Sequence, residues 1–427
     1  MVAQTITEKI LASHAGLSSV RPGQFITARV DRVMAHDITG PLALAQLEAH
    51  GIDRPFDPER IVLVPDHLVP SPTAQAAQAI HRLRAFARRH GVTFFEVGRG
   101  GIAHILLLEE GLVAPGELVV GADSHTCTLG AVGAFATGLG STDTAAAMAT
   151  GEVWLRVPAT IRVRLEGSLP RFVMAKDIML ALLAQIGLDG AAYRALEFVG
   201  STLAELDLDE RATLCNMAVE AGAKNGIVPP DPRTLAYVEA RVARPFTPVV
   251  SDPGADYLDE VVIRCSHLEP LVAEPHSPAR GRPVSELAGL RVDQVFLGSC
   301  TNGKLTDLRV AAALLRGRRI PPHVRMVVTP ATQSIYREAL AEGLLEVFVQ
   351  AGAVVTGASC GACPGLHTGV LGPGEVCLAT TNRNFRGRMG SPEARIYLAN
   401  PAVAAATALT GVLTDPRAVV GGEGLFV

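Results

Sequence analysis

The chain has 427 residues, 48 % of them apolar but only 4 % aromatic, with 42 glycines and a formal net charge of −4. That length predicts two to three domains, and the composition suits an α/β protein whose parallel strands are buried on both faces. A pI near 6.3 gives no basic footprint for nucleic acid, and no apolar run reaches the roughly 18 residues that span a bilayer.

In chain order, residues 5–15 read as a short amphipathic helix, without a signal peptide's charged and apolar regions. Residues 25–33 alternate like a strand. A buried strand at 61–64 runs into Pro65-Asp66-His67-Leu68. The 3.6-residue recurrence of Ala76, Ala77, Ile80, Leu83, Phe86 and Ala87 predicts a helix over 74–90, with Gly91 placed to end it. Residues 92–97 read as a strand entering a Gly-rich turn that ends on His104. Residues 118–120 form another, opening into Gly121-Ala122-Asp123-Ser124-His125. Ser141 or Thr142 can cap the Ala-rich helix that follows. These elements make a first α/β unit, 1–158.

A second unit, 159–275, holds a strand at 160–165, helices at 176–186 and near 209–221, and a strand at 261–265. Residues 274–283 read as a linker from their prolines and glycine. The third unit, 276–427, has a βαβ pattern: strand 292–297, helix 306–316, strand 325–328, helix 334–350, then strands 353–356 and 376–379.

Two of these strands end in Gly-rich turns that carry cysteine: Gly298-Ser299-Cys300-Thr301-Asn302-Gly303 and Gly357-Ala358-Ser359-Cys360-Gly361-Ala362-Cys363. Sites in α/β sheets gather at the carboxyl ends of strands. Three soft thiolates there suit zinc or an iron–sulfur cluster, with one metal position left open. A lone C-x-x-C is a weak signal, because free cysteine is often a small buried apolar residue. The flanking glycines add to it, since they let the backbone approach a bulky cofactor. Cys127, Cys215, Cys265 and Cys377 have no partner at ligand spacing and read as buried thiols. An odd count of seven cysteines fits reduced thiols in a cytoplasm better than a disulfide framework.

His67, His104 and His125 all follow strands, and two sit beside an acid, as Asp66-His67 and Asp123-Ser124-His125. Carboxylate next to imidazole fixes the tautomer and raises the basicity of the ring, which suits proton delivery to a leaving group. Asn216 and Glu220 lie four apart on a predicted helix and share a face. Arg383 and Arg388 follow the strand at 376–379, and arginine pairs with carboxylates bidentately.

The motifs GADSHTCTLGAVGAFATGLGSTD, LCNMAVEAGAKNG, FLGSCTNG, GASCGACPG and TTNRNFRGRMG resemble those of the aconitase superfamily over nearly the whole chain. The likeness is to the shorter large subunits of its two-subunit members, the 3-isopropylmalate dehydratases and homoaconitases. The resemblance implies three α/β/α units of aconitase type around an iron–sulfur cluster, with the swivelling domain absent. It implies one 4Fe-4S cluster per chain on Cys300, Cys360 and Cys363, with its fourth iron open to a di- or tricarboxylate substrate. The acid–imidazole pairs it implies are Asp66 with His67, Asp123 with His104 and Glu220 with His125. It further implies that Ser124, Arg383 and Arg388 contact substrate carboxylates, while Asn216 and Asn382 hydrogen-bond near the cluster. Pro41 stands where single-chain members carry a glutamine. The catalytic serine is expected on a small partner subunit that carries the swivelling domain.

The implied activity is dehydration and rehydration of 3-isopropylmalate in leucine biosynthesis, in the cytoplasm. The alternative is a homoaconitate hydratase or another substituted-malate or citrate dehydratase. Two other classes fit less well. An electron carrier needs four ligands and has no use for the acid–imidazole pairs. An RNA-binding iron sensor needs a basic stripe that this chain lacks.

Overall fold

The computed structural model describes residues 3–420. The chain divides into two compact units, Met1–Leu165 with Asp189–Val262, and Glu166–Leu188 with Ile263–Val427. The three spans read from sequence do not coincide with this division, because 159–275 is shared between the two units. The reason is local. The strand Thr160–Glu166 pairs with Ala195–Val199, whereas the helix Ala175–Ile186 sends Asp177 to Leu271 N and Asn400 Nδ2. Residues 1–2 and 421–427, at the outer ends of the first and third spans, lie outside the described residues.

The first unit is organised by a five-stranded sheet in the order Thr93–Phe94, Ile61–Val64, Arg32–His36, Leu118–Gly121, Phe135–Gly138. All its pairings are parallel. The register sets His36 beside Val64 and Met34 beside Gly121. The segments that leave these strands therefore share one edge of the sheet: Asp37, Asp66-His67 and Asp123-Ser124-His125. The helix Ile6–His14 starts at a reciprocal cap, with Thr5 accepting from Glu8 N and Glu8 accepting from Thr5 N. Along Ala74–His90 the buried positions are Ala76, Ile80, Leu83 and Ala87. Burying Ile80 and Leu83 contributes about 2 kcal/mol each. A second sheet in this unit orders Asn225–Ile227, Ala195–Val199, Thr160–Glu166 and Asp259–Arg264.

Two expectations change here. Residues 25–33 are two strands, Phe25–Arg29 and Arg32–His36, in different sheets. Asp31 makes the break: its backbone N–H donates to Leu118 O, while its carboxylate takes Leu118 N and His14 Nε2. The strand expected at 92–97 shrinks to Thr93–Phe94, and His104 lies on the helix Ala103–Glu109 rather than in the turn before it.

The second unit carries a seven-stranded sheet in the order Gly281–Pro283, Leu271–Ala273, Arg395–Ala399, Val376–Ala379, Gln294–Leu297, Arg325–Val328, Val354–Val355. The last five strands pair in parallel, and Leu271–Ala273 pairs antiparallel with both of its neighbours. Part of the expected linker is thus strand, since 281–283 pair with 271–273. The helix expected over 334–350 is two helices, Gln333–Ala341 and Leu344–Ala351. They part at Gly343, whose φ of +72° is left-handed and open to glycine without strain. Among the described residues, no helix is long and apolar enough to cross a membrane.

Candidate active site

In the first unit the strand ends gather imidazoles and carboxylates. His67 Nδ1 lies 2.5 Å from Asp66 Oδ1, and the other oxygen of Asp66 accepts from Ala103 N at 2.9 Å. Asp66 thus ties its own strand end to the first turn of the helix that carries His104. His104 Nε2 lies 3.1 Å from Asp123 Oδ1. His125 Nε2 lies 2.8 Å from Glu220 Oε1. All three expected pairs are therefore hydrogen-bonded pairs.

Asp123 is the hub. Its Oδ1 also accepts from His125 N at 2.7 Å, starting the 3-10 turn Ser124–Val132, and lies 3.5 Å from His125 Nδ1. Burial pushes its carboxyl up, but His104, then His125 and His36, outweigh that and hold it well below the usual carboxylate range. It is therefore a fixed anion at neutral pH.

The reading from sequence missed a fourth imidazole. His36 Nδ1 accepts from Ile38 N at 3.2 Å, so its proton sits on Nε2. That nitrogen faces Asp123 Oδ2 at 3.3 Å, and the ring lies 4.3 Å from that of His67. His36 therefore bridges the Asp66–His67 pair to Asp123. Its neighbour Asp37 accepts from Asp66 N, His67 N and Leu68 N. Burial raises the Asp37 carboxyl, but His67 and these donors bring it down to about 2.

Donor atoms of His36, Asp37, Asp66 and His67 lie within 4.8 Å of one another. They are not arranged to take a cation: backbone N–H groups occupy Asp37, Asp66 Oδ2 and His36 Nδ1, and His67 occupies Asp66 Oδ1. Asp37, Asp66 and His67 form a hydrogen-bond network, with the His36 ring packed on that of His67.

Asn216 lies in the last turn of the helix Leu208–Met217, and Glu220 sits in the 3-10 turn Ala218–Ala221. Asn216 Nδ2 donates to Thr128 Oγ1 at 2.8 Å, whose hydroxyl donates to His125 O at 2.6 Å. This buttress holds the turn that carries His125. His104 Nδ1 is buried and has no hydrogen-bond partner among the described residues. Ser124 is partly exposed at the start of its turn.

The thiols lie in the second unit. Cys300, Cys360 and Cys363 are buried, as are the other four cysteines, and among the described residues none forms a disulfide. Their two turns converge. A Cβ added at Gly298 would lie 2.8 Å from the Phe296 ring and 3.0 Å from Thr329 O, and one at Gly361 would lie 2.9 Å from Thr329 Oγ1 and 3.1 Å from the same ring. Only glycine fits either position. Ser299, just before Cys300, holds a left-handed φ of +80°, a conformation that costs a non-glycine residue about 1–2 kcal/mol and is concentrated at functional sites.

A third loop reaches both turns. Asn382 Nδ2 lies 3.5 Å from Cys300 Sγ and 3.0 Å from Thr301 Oγ1, and Arg388 lies 3.5 Å from Cys363 Sγ. Arg383 is partly buried in the same loop. N–H donors aimed at sulfur and three soft ligands on crowded Gly turns fit an iron–sulfur cluster.

Lysine is the other residue that sequence did not flag. Lys176 is wholly buried, and its Nζ donates to Thr380 O at 2.7 Å and to Thr381 O. Burial, opposed by Asp307 and Cys363, brings its ammonium down to about 7.

A family model described as the aconitase family (aconitate hydratase) matches residues 8–289 and 283–411. The chain belongs to the aconitase family. Among aconitase-family relatives, it is 54 % identical to the 3-isopropylmalate dehydratase large subunit of Moorella thermoacetica, over 98 % of this chain and 100 % of that one. It is 53 % identical to the protein of the same name from Aquifex aeolicus, over 99 % of each. Among solved structures, holo aconitase X of Thermococcus kodakaraensis matches 86 % of this chain and 88 % of its own, with a TM-score of 0.51 and 13 % identity. That likeness supports the aconitase-type α/β fold. The family implies an iron–sulfur cluster, and the three thiols fit one.

Proposed function

We propose that this chain is the large, cluster-bearing subunit of a 3-isopropylmalate dehydratase, interconverting 2- and 3-isopropylmalate by loss and re-addition of water. The observation that carries this reading is the identity of 54 % and 53 %, over essentially the full length of both chains, to large subunits of that name. Cys300, Cys360 and Cys363 hold one 4Fe-4S cluster. When bound, the cluster supplies a Lewis-acidic iron that makes a hydroxyl a better leaving group.

The chain's own residues handle protons and charge. His67 holds its Nδ1 proton against Asp66, which leaves Nε2 as the position that delivers and recovers a proton at the substrate hydroxyl. Asp123 and Glu220 fix the rings of His104 and His125 and stabilise them when protonated. The unpartnered Nδ1 of His104 is the atom that serves a bound molecule. Ser124, Arg383 and Arg388 grip the substrate's carboxylates, and Asn216 and Asn382 steady the polar surroundings. A small subunit supplies the swivelling domain, with the serine that takes the carbon-bound proton.

The test is a substrate panel. The anaerobically purified chain, joined to its cognate small subunit, is given 3-isopropylmalate, a homocitrate-type tricarboxylate or citrate, and alkene absorbance is followed. Isopropylmalate is expected to react. An inert isopropylmalate beside a reacting homocitrate-type acid would refute the substrate assignment.

A further inference from the structure

Lys176 is the second residue of the helix Ala175–Ile186 and is 0 % exposed, although lysine is almost never fully buried unless paired. Among the described residues, no carboxylate forms an ion pair with it. The carboxylate next to it in sequence is spent elsewhere: Asp177 accepts from Met174 N, Leu271 N and Asn400 Nδ2. The nearby Lys304 does have a partner, with Nζ 3.3 Å from Asp307 Oδ2, and that acid also accepts from Lys304 N and Asn302 Nδ2. Lys176 is left with two carbonyls, Thr380 O and Thr381 O. A buried ammonium bonded only to neutral acceptors is a costly arrangement that calls for a nearby anion.

The acidic groups near Lys176 are Asp307, Cys363 and Asp177. Asp307 and Asp177 are already engaged, and Cys363 belongs to the thiol set. The carbonyls that Lys176 holds lie in the segment leading directly to Asn382, whose amide reaches Cys300 Sγ. Lys176 therefore acts on the thiol site twice, through its charge and through the backbone it fixes.

We propose that Lys176 is a positioning residue that supplies the buried counter-charge of the iron–sulfur cluster. This rests on the cluster assignment to Cys300, Cys360 and Cys363. Three thiolates and their cluster form an anion that would hold Lys176 as an ammonium, a buried cation in addition to Arg388, which meets Cys363 Sγ directly. Without the cluster the same lysine is a liability. Charge then has opposite consequences in the two forms of the protein, which an ordinary core residue would not.

The test compares wild type with Lys176→Met, which keeps the volume and removes the charge. Melting temperature is measured on the full chain with the cluster and after its removal by chelator. In wild type the cluster raises the melting temperature. In Lys176→Met the cluster-free form is expected to melt at the wild-type temperature or above, and the rise on cluster binding to shrink. The cluster's reduction potential, read by EPR-monitored titration, is expected to shift negative, and chelator to strip iron several-fold faster. Asp307→Asn removes a neighbouring negative charge while keeping its shape. It is expected to shift the potential the other way, and it reads the same electrostatics if Lys176→Met does not fold. Equal destabilisation of both forms of Lys176→Met with an unmoved potential, or an unmoved potential in Asp307→Asn, would overturn the proposal. An anaerobic wild-type chain without iron would instead remove the cluster assignment itself.

Discussion

Replacing Asp123 by asparagine keeps the side chain's shape and removes the charge that ties three imidazoles together. The amide oxygen can still accept from His125 N, so the turn at 124–132 should survive. What changes most is the pair of side-chain bonds, to His104 Nε2 at 3.1 Å and His36 Nε2 at 3.3 Å, with the 3.5 Å contact to His125 Nδ1 as a smaller loss. Hydrogen bonds to a charged group contribute about 1.5–3 kcal/mol each, against about 0.5–1.5 kcal/mol for neutral ones. Losing the charge at two bonds therefore costs about 2–4 kcal/mol of imidazole orientation and charge stabilisation. If this is felt in the transition state, kcat falls roughly 30- to 1,000-fold. The assay is alkene formation from 3-isopropylmalate by the anaerobic two-subunit enzyme, with iron content and visible absorption as the check on the cluster. The variant is expected to keep its colour and lose its rate. A kcat within about threefold of wild type, at full iron content, would refute the role given to Asp123.

Other outcomes follow from the same geometry. His36→Gln retains a donor for Asp123 but removes the ring stacked on His67, so kcat should fall about tenfold with the cluster spectrum intact, while His36→Leu should fall about a hundredfold; equal, near-wild-type rates would show that His36 is only core. Cys360→Ser should lose the brown colour of the anaerobic protein, and a colour that persists at full iron content would remove Cys360 from the ligand set. Asp37, held near 2 instead of the ordinary 3.8, contributes stability that is fully present above pH 3.8 and lost as pH falls through about 2. The amount is about 2 kcal/mol. Denaturant melts of Asp37→Asn should lose that acid-side slope, and a slope identical to wild type would place the pH dependence elsewhere.

How much of this could be read from the residues depends on where each one sits. Asp66 and His67 are adjacent in the chain, so their pairing was legible directly. His125 and Glu220 are 95 positions apart, and nothing local in the sequence joins them; the family resemblance supplied that pair. His36 was missed because the strand expected at 25–33 stopped short of it, whereas the strand that it ends runs Arg32–His36. The available signal was the adjacency His36-Asp37, the mirror of Asp66-His67. Lys176 sat at a predicted helix start, where charge usually faces water, and only the fold turns it inward. The strand at 61–64 and the helix at 74–90 were legible because their periodicity and caps agree. The break at Asp31 was not, since long-range bonds to Leu118 and His14 create it.

The most direct measurement is one reaction followed by proton NMR. The wild-type chain, assembled without oxygen with its small subunit, is given pure 2-isopropylmalate. Signals of 3-isopropylmalate and of the intermediate alkene should grow until the three reach a steady ratio. Unchanged 2-isopropylmalate in the presence of an intact, fully loaded cluster would contradict the proposed function.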